Sequence, residues 1–419
     1  MLKESLKWMI LTLVAAAILI AAAVGLYRYI DMGRQPAQTA EPASTPEPAI
    51  LQTSSPAPTS SPTPEPTVAP LNAEERIAAY VASLSVEQKL GQMVLFGFSG
   101  TTEPSEEYRN IFETYRVGNL ILYGANVKSG NSDGGFGQCK KLIETAKETL
   151  NTGEIPPLVA IDVEGGEVVR FRWETWPASA RTLGRRRDGA YAREQFAAIG
   201  KKLLETGINM NLAPVLDVSQ DPMSTFLETR IISEDALVAG AIGAAVVEGL
   251  HDSGCLSTAK HFPGHGGTTK DSHDETPVID RSAEELAGYD LVPFQQAIDA
   301  GVDAILVAHI LYPALDAQDI ASMSEPVITG LLRKQMGFDG VVISDDFRMG
   351  GLTSRYEISD AAVRFVLAGG DLIMCGAQSE KQRAIMEGLQ AAAADGRLTE
   401  ERVNESVVRI LKAKGFAAE

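Results

Sequence analysis

An α/β fold, a single (β/α)8 TIM-type barrel with extended loops, is predicted for most of this 419-residue chain by three observations. Eight short apolar runs rich in Val, Ile and Leu recur between longer amphipathic stretches, as strands buried on both faces alternate with covering helices. Several of these runs end in charged residues, and the carboxyl ends of the strands are where a barrel collects its chemistry. The stretch from residue 72 onward also has the right length, since such barrels use ~250 residues and extend past ~400 with insertions. The runner-up, an open doubly wound sheet, lacks a G-x-G-x-x-G loop after the first run.

Composition sets the outer bounds. Apolar residues make up 45% and charged residues 22%, the usual globular mixture, so a sizeable core can be buried. The formal net charge is −18. Residues 1–71 hold four basic and five acidic groups, which leaves 33 and 50 for the remainder, a net −17. That acidity excludes nucleic acid as a partner, because phosphate binding needs a basic face. Cys139, Cys255 and Cys375 form neither a disulfide framework nor a spaced zinc set.

Residues 1–34 contain an almost unbroken apolar stretch from Trp8 to Leu26, flanked by Lys3, Lys7 and Arg28. This approaches the ~20 residues of a bilayer-spanning helix and predicts an N-terminal membrane anchor. A cleaved signal peptide is the rival, with Ala21 to Ala23 as peptidase site, but its apolar region usually runs only ~7–15 residues. Basic residues before the anchor place the remainder of the chain on the extracytoplasmic side. Residues 35–71 carry ten of the 21 prolines among Ser, Thr, Ala and Glu, a composition that builds no core and predicts a disordered spacer.

The eight predicted strands are 93–98, 119–123, 158–163, 209–215, 256–261, 304–309, 340–344 and 371–375. The third ends at Asp162 and Glu164, the fourth runs into Asp217, and the fifth ends at Lys260 and His261. The sixth ends at His309 and the seventh at Asp345 and Asp346. Charged residues at so many strand ends are poor core, since a buried ion without a partner costs several kcal/mol. Asp346 is expected to face away from Asp345, because alternate strand residues face opposite sides. His261 and His265 have a zinc-pair spacing, but Pro263 and Gly264 break the helix that would put both rings on one face, so no metal is expected.

The segment Lys260-His-Phe-Pro-Gly-His-Gly266, followed by Asp271-Ser-His273 and Pro277, resembles the signature of glycoside hydrolase family 3, in its bacterial β-N-acetylhexosaminidase branch. The resemblance runs over most of residues 75–415. It includes Ile161-Asp-Val-Glu-Gly-Gly166, Arg170-Phe171, Asn211-Leu-Ala-Pro-Val-Leu-Asp217, Arg230 with Ser233-Glu-Asp235, and Ser344-Asp-Asp-Phe-Arg-Met349. It implies a retaining exo-β-N-acetylglucosaminidase that needs no cofactor, acting on terminal GlcNAc of glycans or peptidoglycan fragments. Asp345 would be the nucleophile, against a plain helix-capping Asp as the alternative. His273, oriented by Asp271, would be the acid/base, since an imidazole can donate and accept a proton near neutral pH. Glycines 264, 266 and 267 predict a mobile loop that brings His273 over the substrate.

Asp162, Arg230, Lys260 and His261 would bind sugar hydroxyls, with an internal Asp162–Arg230 ion pair as the competing account. Glu164, Asp217 and His309 are expected to be supporting or structural. Trp173 and Trp176 either stack on a sugar face or pack against the barrel. The segment Asp162-Val-Glu-Gly-Gly-Glu167 departs from the commoner pattern, which has Gln at 163 and Arg at 167. No second α/β domain is expected after the eighth unit, and this reading favours an acid/base inside the barrel. A β-glucosidase or β-xylosidase of the same family, phosphorolysis in place of hydrolysis, and a non-catalytic wall-binding module are the alternatives. A monomer is expected.

Overall fold

A computed structural model describes residues 72–128, 135–150, 152–170, 177–220 and 227–416. The predicted anchor and spacer, together with Phe171, Trp173 and Trp176, lie outside the described residues. Among those described, no helix is long and apolar enough to cross a membrane.

Each predicted apolar run contains a strand. They are Val94–Phe96, Asn119–Leu122, Leu158–Ile161, Met210–Asn211, Leu256–Phe262, Ala304–Val307, Val341–Ser344 and Ile373–Cys375. Every pairing in this sheet is parallel, in sequence order. The eighth strand then returns to the first, with Val94 opposite Ile373, and a parallel bridge joins Ile343 to Leu372 between the seventh and eighth. The sheet is therefore a nearly closed barrel, and the open doubly wound alternative is excluded by that return. A two-stranded antiparallel hairpin, Val163–Gly165 with Val168–Val169, is inserted just after the third strand.

The strands are short because each crosses one small barrel, and apolar because both faces are covered. Buried asparagines stitch them together. Asn119 donates to the carbonyls of Gln92 and Val94 and accepts from the Leu158 amide, linking the first three strands. Asn211 does the same between the fourth strand and Val163.

Helices Gly189–Thr206 and Ala236–Ser253 begin at Asp188 and Asp235, whose carboxylates accept from first-turn amides. They end at Gly207 and Gly254 in left-handed conformation, φ 90° and 82°. The two helices pack closely, since a Cβ on Gly249 would lie 2.3 Å from the Arg193 carbonyl oxygen.

At the amino end of the eighth strand the buried carboxylate of Asp371 gathers three guanidinium groups. It accepts from Arg333, from Arg409 at 3.2 Å, from the Ser406 hydroxyl at 2.7 Å and from the Val342 amide at 2.9 Å, with Arg402 at 3.7 Å. This cluster clamps helix Glu400–Ala413 and the segment Pro326–Gln335 onto the amino-terminal end of the barrel. Removing the shared carboxylate leaves buried cations uncompensated. Asp371→Ala is expected to cost about 3–5 kcal/mol in urea unfolding, with Asp371→Asn smaller in the same direction.

Candidate active site

One pocket, of about 260 Å³, opens at the carboxyl ends of the strands and is lined by residues from most of them. It brings together Asp162, Arg230, Lys260, His261, His273 and Asp345 among the predicted site residues. Asp271 stands behind His273. Each side chain owes its place to the strand or loop that carries it.

Asp345 follows the seventh strand directly. Its amide still donates to the Val307 carbonyl at 3.0 Å, so the end of the ladder fixes its backbone. One of its carboxylate oxygens accepts from the Asp346 amide at 2.8 Å. Asp346 does not face away as strand alternation predicts. The strand stops at Ser344, the alternation stops with it, and Asp346 lines the same pocket. It accepts from the Tyr123 hydroxyl at 2.6 Å and from Arg348, whose Nη2 lies at 2.7 Å. Burial alone would raise the Asp346 carboxyl, but the Arg348 guanidinium outweighs it and holds the group below the usual range. The Tyr123 phenol is pushed well up by burial and by Asp346. Arg348 also covers the Tyr123 ring, 4.7 Å from its centroid.

On the opposite wall lies a buried ion network. Lys260 Nζ is 2.6 Å from Asp162 Oδ1 and 2.6 Å from Glu164 Oε1. Glu164 also accepts two hydrogen bonds from Arg230, both at 2.8 Å. Arg230 therefore pairs with Glu164 and Asp162 with Lys260, so the ion pair between Asp162 and Arg230 offered as the competing account is not formed. The reason lies in the hairpin after the third strand, which holds Glu164 in the barrel mouth beside the fifth strand's Lys260. Glu164, expected to be a supporting residue, is itself part of the pocket wall. Burial raises its carboxyl, yet Lys260 and Arg230 more than reverse this and hold it at about 2. Burial likewise disfavours the Lys260 ammonium, and Asp162 and Glu164 outweigh that, so its pKa is raised.

His261 Nδ1 lies 2.6 Å from Asp217 Oδ2, and its Nε2 lies 3.4 Å from Arg230 Nη2. Because Arg has only donors, the network assigns the proton to Nδ1 and leaves Nε2 as the acceptor. Asp217 is fully buried and also accepts from the His265 amide at 2.6 Å. His265 Nε2 is 2.9 Å from the Ser272 hydroxyl, and burial lowers its pKa to about 4. The two histidines with zinc-pair spacing are thus each engaged by a protein partner.

His273 Nδ1 is 2.7 Å from Asp271 Oδ1, which also accepts the His273 amide at 2.9 Å. Burial raises the Asp271 carboxyl, but these hydrogen bonds outweigh it and the net shift is downward. The His273 side chain is 65% exposed at the pocket mouth. His309 is fully buried, with Nδ1 2.8 Å from Ser322 Oγ, and does not line the pocket. Glu167 accepts from Thr229 at 3.0 Å. Sequence reasoning missed Tyr123 and Arg348. The signals were the polar residue closing the second strand and an arginine two positions past an acidic pair, both weak alone.

Fold and pocket define a class, a parallel β/α barrel with carboxylates and imidazoles converging at its mouth. The model of the glycosyl hydrolase family 3 N-terminal domain matches residues 85–413. The chain belongs to that family. It is 31% identical over 369 residues to "Beta-hexosaminidase A" of Pseudoalteromonas piscicida, covering 79% of this chain and 61% of that protein. It is 32% identical over 350 residues to "Beta-hexosaminidase LpqI" of Mycobacterium tuberculosis, covering 81% and 85%. Among solved structures, a family 3 β-N-acetylglucosaminidase from Paenibacillus sp. matches with a TM-score of 0.76 at 36% identity, covering 80% of this chain and 63% of that one. The chain thus spans less than two thirds of the Pseudoalteromonas and Paenibacillus proteins, and most of the mycobacterial one.

The Glu164 shift carries a stability consequence of definite sign. Its pKa falls from 4.5 to about 2 on folding, so the stabilisation is present above pH 4.5 and is lost as pH falls toward 2. The size is on the order of 3 kcal/mol. Glu164→Gln is expected to lose that amount at pH 7 and to show a flatter acid limb than the parent, read from denaturant unfolding at pH 7 and pH 3.5.

Proposed function

We propose that this chain is a retaining, exo-acting β-N-acetylglucosaminidase that releases terminal GlcNAc from glycans or peptidoglycan fragments. The observation that carries the proposal is the meeting of Asp345, on a strand end, with the Asp271–His273 pair at one pocket. Family membership and the β-hexosaminidases among its relatives point to the same sugar. The pocket is small against the ~300–1,000 Å³ usual for ligand sites, which fits one terminal sugar better than a run of several.

In the first step an Asp345 oxygen attacks the anomeric carbon and the bond to the leaving oxygen breaks. His273 supplies the proton that this oxygen takes up, leaving a glycosyl ester on Asp345. In the second step His273 takes a proton from water, the water oxygen bonds to the anomeric carbon, and Asp345 is released as carboxylate. The Asp271 carboxylate faces Nδ1, which leaves Nε2 to exchange the proton. Asp162 accepts hydrogen bonds from sugar hydroxyls, and Lys260, Arg230 and His261 hold the ring from the same wall. Asp346, kept ionised by Arg348, stays a fixed acceptor beside the nucleophile.

The direct test compares an aryl β-GlcNAc with an aryl β-glucoside. Release selective for GlcNAc, lost in Asp345→Asn, is the expected result, and His273→Ala should lower kcat by about 10²–10⁴-fold for poor leaving groups. Equal rates on both sugars would support the β-glucosidase alternative, and binding of GlcNAc oligomers without cleavage would support a binding module.

We infer further that residues 8–26 anchor the chain in the cell membrane with the barrel outside and residues 35–71 as spacer, and that the protein is monomeric. The apolar run supports the anchor and the proline content supports the spacer. N-terminal sequencing of membrane-extracted protein is expected to read from the initiating end. A mature start after Ala23 would replace the anchor with secretion.

A further inference from the structure

We propose that Ser272, Gly350 and Gly351 form a seat that fixes the Asp271–His273 pair over the pocket, making them positioning residues for the acid/base. The inference rests on the assignment of His273 as that acid/base. Ser272 lies between the two members of the pair, yet it is buried, 2% exposed, while its neighbour His273 is open to solvent.

Ser272 is held from two sides. Its hydroxyl is 2.9 Å from His265 Nε2, and the His265 amide in turn donates to the buried Asp217 carboxylate at 2.6 Å. Its carbonyl accepts from the Gly351 amide at 2.9 Å. The next carbonyl, of His273, accepts from the Gly350 amide at 2.8 Å, and Thr276 Oγ1 donates to the Gly351 carbonyl at 2.7 Å. The loop is thereby laid along the segment that leaves the seventh strand through Asp345. Nucleophile and acid/base are referenced to one another by backbone hydrogen bonds, which hold distances more rigidly than side-chain contacts across solvent.

The closeness of this contact requires glycine at both positions for reasons of space. Neither residue has a positive φ. A Cβ on Gly350 would lie 2.3 Å from the Asp274 carbonyl oxygen and 2.9 Å from that of His273. A Cβ on Gly351 would lie 2.9 Å from the carbonyl oxygens of both Ser272 and His309. Each of these distances is below 3.0 Å and each partner is backbone, so a side chain at either position pushes the loop, and His273 with it, away from the pocket.

The test uses the full chain and aryl β-N-acetylglucosaminides whose leaving groups range from dinitrophenol, which departs without a proton, to simple phenols, which need one. Ser272→Ala and Gly350→Ala are expected to keep kcat/KM on the dinitrophenyl substrate within about threefold and to lose roughly tenfold or more on the simple phenols. Added azide, which attacks the glycosyl ester without base assistance, should raise kcat of both variants on the dinitrophenyl substrate. Equal loss across all leaving groups, or no loss on simple phenols, overturns the seat. Thermal unfolding is followed for each variant, and Ser272→Ala, which removes one oxygen, decides the matter if Gly350→Ala does not fold. His273→Ala is the reference. If it shows no leaving-group dependence, the acid/base assignment itself fails, whereas dependence in His273→Ala without it in Ser272→Ala removes the seat alone.

Discussion

The pocket depends on a buried ammonium. Lys260 sits at the carboxyl end of the fifth strand, almost fully removed from water, and is tolerable there only because Asp162 and Glu164 each stand 2.6 Å away. Glu164 then draws in Arg230, and Arg230 reaches His261, whose other nitrogen is held by Asp217. A chain of charge-assisted hydrogen bonds thus runs from the third strand to the loop after the fifth. Remove one member and the others become uncompensated ions in a low-dielectric mouth. The arrangement gives the pocket donors and acceptors that are fixed in place by one another.

The two walls of the pocket are built differently. The wall with Lys260 is a tight ionic lattice on strand ends. The wall with Asp345 and Asp346 is a strand terminus whose carboxylates are fixed by a backbone amide, a phenol and a guanidinium. Across the mouth lies the loop with His273, which has no strand of its own. Its order comes from borrowed partners, the buried His265 on one side and the amides of two glycines on the other. The His273 loop is thus held through its backbone by a neighbouring segment, whereas Asp345 is held by the strand that it follows. The opposite end of the barrel, with Asp371 and its three arginines, holds helices in place and has no part in the pocket.

Much of the fold was legible because parallel barrel strands write a direct signal. Residues such as Val341 to Ile343 are buried and apolar, and runs of this kind alternate with helices along the chain. The fourth strand was least legible, since only Met210 and Asn211 pair in the ladder while the apolar run continues through Leu216. The small hairpin after the third strand was not visible at all, because two and three residues carry no periodicity. That omission hid the role of Glu164, which the hairpin delivers to Lys260. Tyr123 and Arg348 were hidden for another reason. A tyrosine at a strand end and an arginine near acidic residues are common, and only their meeting at Asp346 gives them meaning.

The amino-acid sequence alone determined the barrel, the family resemblance, and which residues fall at the carboxyl ends of the strands, because these depend on the periodicity and order of residues along one chain. Tertiary structure decided the partners. That Arg230 takes Glu164 over Asp162, that Asp346 turns into the pocket, and that Gly350 and Gly351 support a loop some 75 residues earlier in the chain are contacts between segments remote in sequence. Such contacts depend on distances of a few ångströms between strand ends, and chain order does not encode those distances until the barrel has closed.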